Sequence, residues 1–342
     1  MCTRVAVTAG MRSSAFLIVS LVGLAACTKS PSSPSGQDPG VVQGQTVSAL
    51  TDSAIPGVTV RVGNGAAVTS DAQGFFDVDA GRSGAFQTVI RGSGIVERET
   101  SIAAPTDARA RVSLIPTGFD LAAFDEMFRT TNSRLQRWTT KPSLVVLASV
   151  MSYRSGSGTE YLAESEQLTD QEVSDMISHM TEGLGMLTGG TYTSFASVEV
   201  ERPAAGTRVT ALRIGSVVVG RYNGIVSMVN TIGYGQWADQ PNGEVNGGAM
   251  FLDRDFDRND NRRRLLRIHE LGHALGYQHV KTRTSIMNPA IGPEPTDFDR
   301  GGATIAFQRA PGNRTPDVDP SSAVLSVVEG GPSRWSAPTV CR

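Results

Sequence analysis

Cysteine is scarce in this sequence: three residues in 342, at positions 2, 27 and 341. Two of them lie near the start, so a disulfide-stapled fold is not expected and stability must come from packing and bound ions. An excess of charge of one sign is also lacking. Lys and Arg total 31 against 33 Asp and Glu, for a net charge of -2 and a pI near 6.1. That balance gives no basic surface to hold nucleic acid or an anionic membrane. Long hydrophobic runs are missing too: Ala15 to Ala26 is mostly apolar but short of the roughly twenty residues that cross a bilayer. Aromatics make up only 6% while glycine reaches 37 residues, which points to a chain rich in strands and loops. Histidine is limited to four residues, and three of them, His269, His273 and His279, crowd into one short segment.

What is present organises the chain. Arg12, the short apolar run and the small residues before Cys27 read as a signal peptide over residues 1–26. Leu24-Ala25-Ala26-Cys27 resembles the bacterial lipoprotein signal, which implies an exported protein whose Cys27 carries acyl chains into a cell-envelope membrane. The alternative is an ordinary signal with an incidental cysteine and a secreted product. Residues 27–40 are rich in Pro, Ser and Gly and form a linker.

Residues 41–115 hold short alternating runs such as Gly57-Val-Thr-Val-Arg-Val62 and a turn at Asp71-Ala-Gln-Gly74, the pattern of a small all-β sandwich. Ile55-Pro-Gly-Val-Thr-Val60 with Thr69-Ser-Asp-Ala-Gln-Gly-Phe-Phe76 is similar to carboxypeptidase regulatory-like domains, implying an accessory module without catalysis. Residues 117–309 mix helices and strands. Thr117-Gly-Phe-Asp120 has capping-box spacing and predicts a helix through Trp138; Leu144–Leu147 predicts a buried strand. Thr169-Asp-Gln-Glu172 predicts a second capped helix that Gly189-Gly190 ends, with Val173, Met176, Ile177, Met180 and Leu184 on its core face and His179 on the surface. Strands are expected at 196–200, 209–214, 225–229 and 248–252, giving an α/β domain. Residues 310–342 read as a flexible tail, with Cys341 incidental.

The chemistry sits in His269-Glu-Leu-Gly-His-Ala-Leu-Gly-Tyr-Gln-His279. Positions i and i+4 share one helix face, so His269 and His273 can hold a single ion while Ile268, Leu271 and Leu275 face a core. Gly276 ends the helix through a left-handed turn and lets His279 return as a third ligand. Three histidines leave one tetrahedral position open, the arrangement of a catalytic Zn2+ site, and Glu270 stands where it can act as general base.

This H-E-x-x-H-x-x-G-x-x-H segment is the signature of the metzincin metalloproteases. Ser285-Ile-Met-Asn-Pro289 resembles the family's methionine turn, which implies that Met287 lies beneath the ligands. The resemblance covers roughly residues 117–309, with specific motifs in 247–289, and implies a twisted mixed sheet carrying the zinc helix. Asn288-Pro289 after Met287 is closer to the matrixin pattern than to the astacin one. The second, structural zinc common in matrixins is not expected, because only His179 is left over among the histidines, and no cysteine precedes the domain in a position to block the zinc as a cysteine switch. Asn246-Gly-Gly-Ala-Met-Phe-Leu252 resembles the metzincin edge strand, with Gly248, Ala249 and Met250 as candidates to pair with substrate. A plain strand with a tight turn reads equally well there. The acidic run Asp253–Asp260 invites Ca2+, but interleaved arginines favour a solvated, salt-bridged loop.

The function so read is a zinc-dependent endopeptidase acting on protein or peptide, anchored through Cys27 and with no nucleic-acid partner. A surface-anchored binding lipoprotein with an inactive protease domain is the alternative, and a zinc hydrolase of non-peptide amides is a third reading.

Overall fold

The computed structural model describes residues 40–129, 131–153, 160–225, 230–321 and 332–342. The segment expected to be a signal peptide, 1–26, and Cys27, expected to carry the lipid anchor, lie outside the described residues.

Alternating apolar residues in the first third build two small sheets. One holds β1 (Val41–Ser48), β4 (Phe75–Asp79) and β7 (Ala110–Leu114) in the order β4-β1-β7. The other orders β3 (Val68–Thr69), β2 (Thr59–Val62), β5 (Gly84–Arg91) and β6 (Arg98–Ala104) as β3-β2-β5-β6. Val42, Val60, Val62, Phe76, Ile90, Val112 and Leu114 form their shared core. In the turn at 71–74, the Asp71 carboxylate accepts from the Gln73 and Phe75 amides, while Gly74 takes a φ of +75°.

The larger part opens with α1 (Leu121–Phe128), capped by Asp120 rather than Thr117. This helix is shorter than the sequence predicts: a 3-10 turn follows at 131–133, and β8 (Arg137–Trp138) pairs with the main sheet. Trp138 supplies a strand bridge there, and its indole donates to the Ala274 carbonyl at 3.2 Å. Next come β9 (Ser143–Tyr153), β10 (Glu160–Gln167) and α2 (Asp170–Leu187). The Thr169–Glu172 capping box forms with both of its reciprocal bonds, and Gly189 and Gly190 close α2 with positive φ.

Five more strands complete most of the sheet: β11 (Val198–Glu201), β12 (Arg208–Thr210), β13 (Ser216–Asn223), β14 (Gly233–Asp239) and β15 (Glu244–Asp253). Its order is β12-β10-β9-β13-β15-β14, with β9, β13 and β15 parallel and β14 antiparallel to β15. The strand expected at 225–229 lies, apart from Ile225, outside the described residues, and β13 at 216–223 is a strand the sequence reading did not expect. Then follow α3 (Arg254–Asn259), α4 (Arg263–Ala274) and α5 (Asp297–Phe307). Alternation along β9, β13 and β15 gives the sheet two apolar faces. Leu144, Val146, Val217, Val219, Met250 and Leu252 pack under Met176, Met180 and Leu184 of α2 and Ile268 and Leu271 of α4. Val145, Leu147, Val218, Ala249 and Phe251 face the other way, with Tyr161, Tyr222 and Tyr234 around them.

The segment expected as a flexible tail is structured where it is described. Asp317 is fully buried and accepts from Arg98 of β6 at 2.9 Å and from Arg309 at 2.7 Å. Arg309 also reaches the Ser113 hydroxyl of β7 at 2.7 Å, so this cluster ties the small sheets to the larger part. Paired buried charges of this kind are retained because neither partner is left alone. Further on, β16 (Arg334–Trp335) and β17 (Thr339–Cys341) both pair antiparallel with β14.

Candidate metal centre

Helix α4 is the spine of the site, and its residues 266–274 are all buried. Glycines let it lie close to its neighbours. A Cβ at Gly235 of β14 would stand 2.6 Å from the His273 Cβ and 2.7 Å from the Glu270 carbonyl oxygen. One at Gly248 of β15 would stand 2.6 Å from the Ala274 carbonyl. The glycines of these strands are therefore packing devices for the helix.

The helix ends in a Schellman turn. Tyr277 N–H donates to the Gly272 carbonyl and Gly276 N–H to the His273 carbonyl, both at 3.0 Å, with Gly276 at φ +101°. The chain then reverses, and Val280 N–H donates to the Met287 carbonyl at 2.9 Å. That reversal returns His279 to the first two histidines.

The three Nε2 atoms converge, 3.0 Å apart between His269 and His273, 3.2 Å between His273 and His279, and 3.3 Å between His279 and His269. Tetrahedral zinc with Zn–N bonds of about 2.0–2.1 Å requires nitrogens roughly 3.3–3.4 Å apart. The donor set therefore fits zinc after shifts of a few tenths of an ångström. The outer ring nitrogens are engaged: Nδ1 of His269 donates to the Ile286 carbonyl and Nδ1 of His273 to the Tyr277 carbonyl, each at 2.7 Å. Those bonds fix the rings and leave Nε2 as the lone pair toward a metal. Burial keeps the imidazoles neutral in the metal-free site, lowering His269 and His279 to about 4 from 6.5. His273 is lowered too, by burial and by the two neighbouring rings.

Glu270 is fully buried, and neither carboxylate oxygen has a hydrogen-bond partner. Burial alone raises its pKa well above the ordinary 4.5. A buried acceptor without a partner beside a converging ligand set is suited to receive a proton from water held there. Gly233 makes space for it, since a Cβ at that position would stand 2.7 Å from Glu270 Oε1.

Met287 is buried below α4, where a Cβ on Gly272 would stand 2.8 Å from its Cε. Its turn is fastened by Asp299, which the sequence reading did not single out. Buried Asp299 accepts from the Ile286 amide at 3.1 Å and from the Ser285 hydroxyl, while capping α5 through the Thr296 amide at 2.7 Å. Its one sequence signal is the spacing Thr296-x-x-Asp299, which announces a helix cap but not the long-range contact.

Two expectations are corrected. Gly248, Ala249 and Met250 lie in β15, which is hydrogen-bonded to β13 on one side and β14 on the other. Their backbone has no free edge for a substrate; β14 is the antiparallel strand beyond it. The acidic run at 253–260 is not a solvated loop but helix α3, with Asp253 as its N-cap. Asp257 is fully buried and gripped by Arg221 at 2.6 Å and Arg267 at 2.7 Å, so its oxygens serve arginines rather than calcium. His179 is partly buried, and its Nδ1 accepts from Arg267 at 3.0 Å, away from the three ligands.

Cys341 is brought to the site. It is fully buried, and its Sγ, one ring nitrogen of His269 and one oxygen of Glu270 lie within 4.8 Å of one another.

Residues 149–302 match the family model of the matrixins. The matched span includes the three histidines, Glu270, Met287 and Asp299, and it supports a metallopeptidase of the metzincin type. A comparison with curated proteins finds no match.

Proposed function

We propose that the chain is a zinc-dependent endopeptidase, with His269, His273 and His279 holding the metal and Glu270 as general base. The observation that carries this reading is the convergence of three Nε2 atoms within 3.0–3.3 Å beside a buried, unpartnered carboxylate. Zinc bound there supplies a Lewis acid that makes water nucleophilic near neutral pH and polarises the scissile carbonyl.

The chain's own residues do the rest. Glu270 takes a proton from the attacking water and delivers it to the leaving amine, a transfer favoured by its raised pKa. The Ile286 and Tyr277 carbonyls hold two ligand rings in register, and Asp299 holds the turn that carries Ile286 and Met287. Strand β14, next to the helix and antiparallel, is the edge to which an extended substrate adds its backbone.

In the same reading, residues 1–26 serve as a signal peptide and Cys27 as a lipid anchor at a bacterial cell envelope. The β strands of 41–114 form an accessory module resembling carboxypeptidase regulatory-like domains. The test is Glu270→Gln on the zinc-loaded chain with denatured casein as substrate. Zinc content stays at one per chain while turnover falls at least a hundredfold. A variant that digests casein at the parent rate excludes Glu270 as the base.

A further inference from the structure

The outer edge of β14 is already filled, and the filler comes from the same chain. Tyr234 pairs with Val340 and Gly235 with Thr339, while Ala238 pairs with Trp335 at the other end. Ser336 N–H donates to the Trp237 carbonyl at 2.7 Å, and Ile232 N–H donates to the Cys341 carbonyl at 3.1 Å. Outside these pairs, Asn246 holds the Ser333 hydroxyl at 2.8 Å. Residues 333–341 thus run as an extended peptide along the strand whose glycines touch α4 at Glu270 and His273.

The end of this segment closes the site. Gly233 of β14 faces Cys341 across the pair and also makes the space for the Glu270 carboxylate. With Cys341 in place, Glu270 has no exposed surface and no hydrogen-bond partner. A general base in that condition cannot meet a water and an incoming carbonyl together, so something must leave before chemistry. The pairings of β16 and β17 are short, two and three residues against seven between β14 and β15, so β14 releases this segment more easily than it releases β15.

We infer that residues 332–342 hold the site latent by occupying, in cis, the strand edge an extended substrate needs, with the Cys341 side chain lodged against Glu270 and His269. This corrects the expectation that Cys341 is incidental. The ligand class of the edge follows from its occupant: an extended polypeptide held by its backbone, with a small side chain tolerated beside Glu270. The inference rests on the peptidase reading.

The test uses the full-length, zinc-loaded chain, a Ser336→Pro/Val340→Pro variant that weakens the pairing, and Cys341→Ala. Iodoacetamide labelling of Cys341, followed by mass spectrometry of the peptide that carries it, reads the closed state without any turnover. Labelling in the parent chain is at least tenfold slower than in the proline variant. A fluorescein-labelled peptide of residues 333–342, tested in a Glu270→Gln background, binds the proline variant at least tenfold more tightly than the parent. Casein turnover rises at least tenfold in the proline variant and in Cys341→Ala. Equal labelling of Cys341 in both chains overturns the inference, as does a freed thiol with no gain in peptide binding. If peptide binding rises but no variant cleaves casein, the occupied edge stands and the peptidase reading fails. If parent and opened chains cleave equally, the peptidase reading stands and latency fails.

Discussion

Replacing Gly272 by alanine tests the packing under the metal helix, because two effects of opposite sign compete there. Within α4, glycine to alanine is worth about 1 kcal/mol of added helix stability. The new Cβ, however, lands 2.8 Å from Met287 Cε and closer still to its sulfur. Carbon contacts settle near 3.5–4.0 Å, so Met287 must retreat by roughly 1 Å. Its backbone resists, because Met287 N–H donates to the Ser285 hydroxyl at 3.0 Å and its carbonyl accepts from Val280 at 2.9 Å. Overpacking of this kind costs about 1–3 kcal/mol, so Gly272→Ala destabilises by up to about 2 kcal/mol net. Met287→Ala alone costs about 2–5 kcal/mol through the cavity it leaves. In the double variant the new methyl partly fills that cavity, so the loss is smaller than the sum by at least about 1 kcal/mol. Urea unfolding of the four chains measures the cycle. A Gly272→Ala protein stabilised by about 1 kcal/mol, with additive double-variant energies, would refute the placement of Met287.

Three further outcomes follow from the same geometry. Asp299→Ala strips acceptors from the Ile286 and Thr296 amides and the Ser285 hydroxyl, costing about 3 kcal/mol by urea unfolding and weakening zinc about tenfold by chelator competition. The exposed Asp297→Ala, one turn position away from that network, stays within about 0.5 kcal/mol and serves as control. In the metal-free protein, burial lowers His269 from 6.5 to about 4, so between those values the unfolded chain binds the extra proton and stability falls as pH falls. From pH 7 to pH 5 that amounts to roughly 2 kcal/mol from His269, with a smaller contribution from the half-buried His279; a flat profile over that range contradicts the buried neutral ring.

The legible parts of the molecule were those set by local spacing. The capping box at Thr169, the pair His269 and His273 on one face, and the terminating Gly276 each depend on residues within one or two helical turns, so the chain order alone carries them. What stayed hidden depends on neighbours far along the chain. β14 carries glycines at 233 and 235 that weaken any strand signal, and they are there because α4 presses against them. β15 read as an edge because its sequence shows a good strand but cannot show that β14 lies on its outer side. Asp257 reads as part of a solvated loop because Arg221, which closes over it, lies 36 residues earlier. Cys341 was the largest omission: its Pro/Gly/Ser-rich surroundings resemble a linker, and only the register of β17 on β14 brings it to Glu270.

The most direct test of the central claim is mass spectrometry of the products from a defined peptide library. The zinc-loaded Ser336→Pro/Val340→Pro chain is compared with the same chain carrying Glu270→Gln, at equal bound zinc. The account predicts cleavage at interior peptide bonds in the first and at least a hundredfold fewer products in the second. Equal product yields from both chains, or no cleaved peptide bond from a chain that holds its zinc and binds peptide, would contradict it.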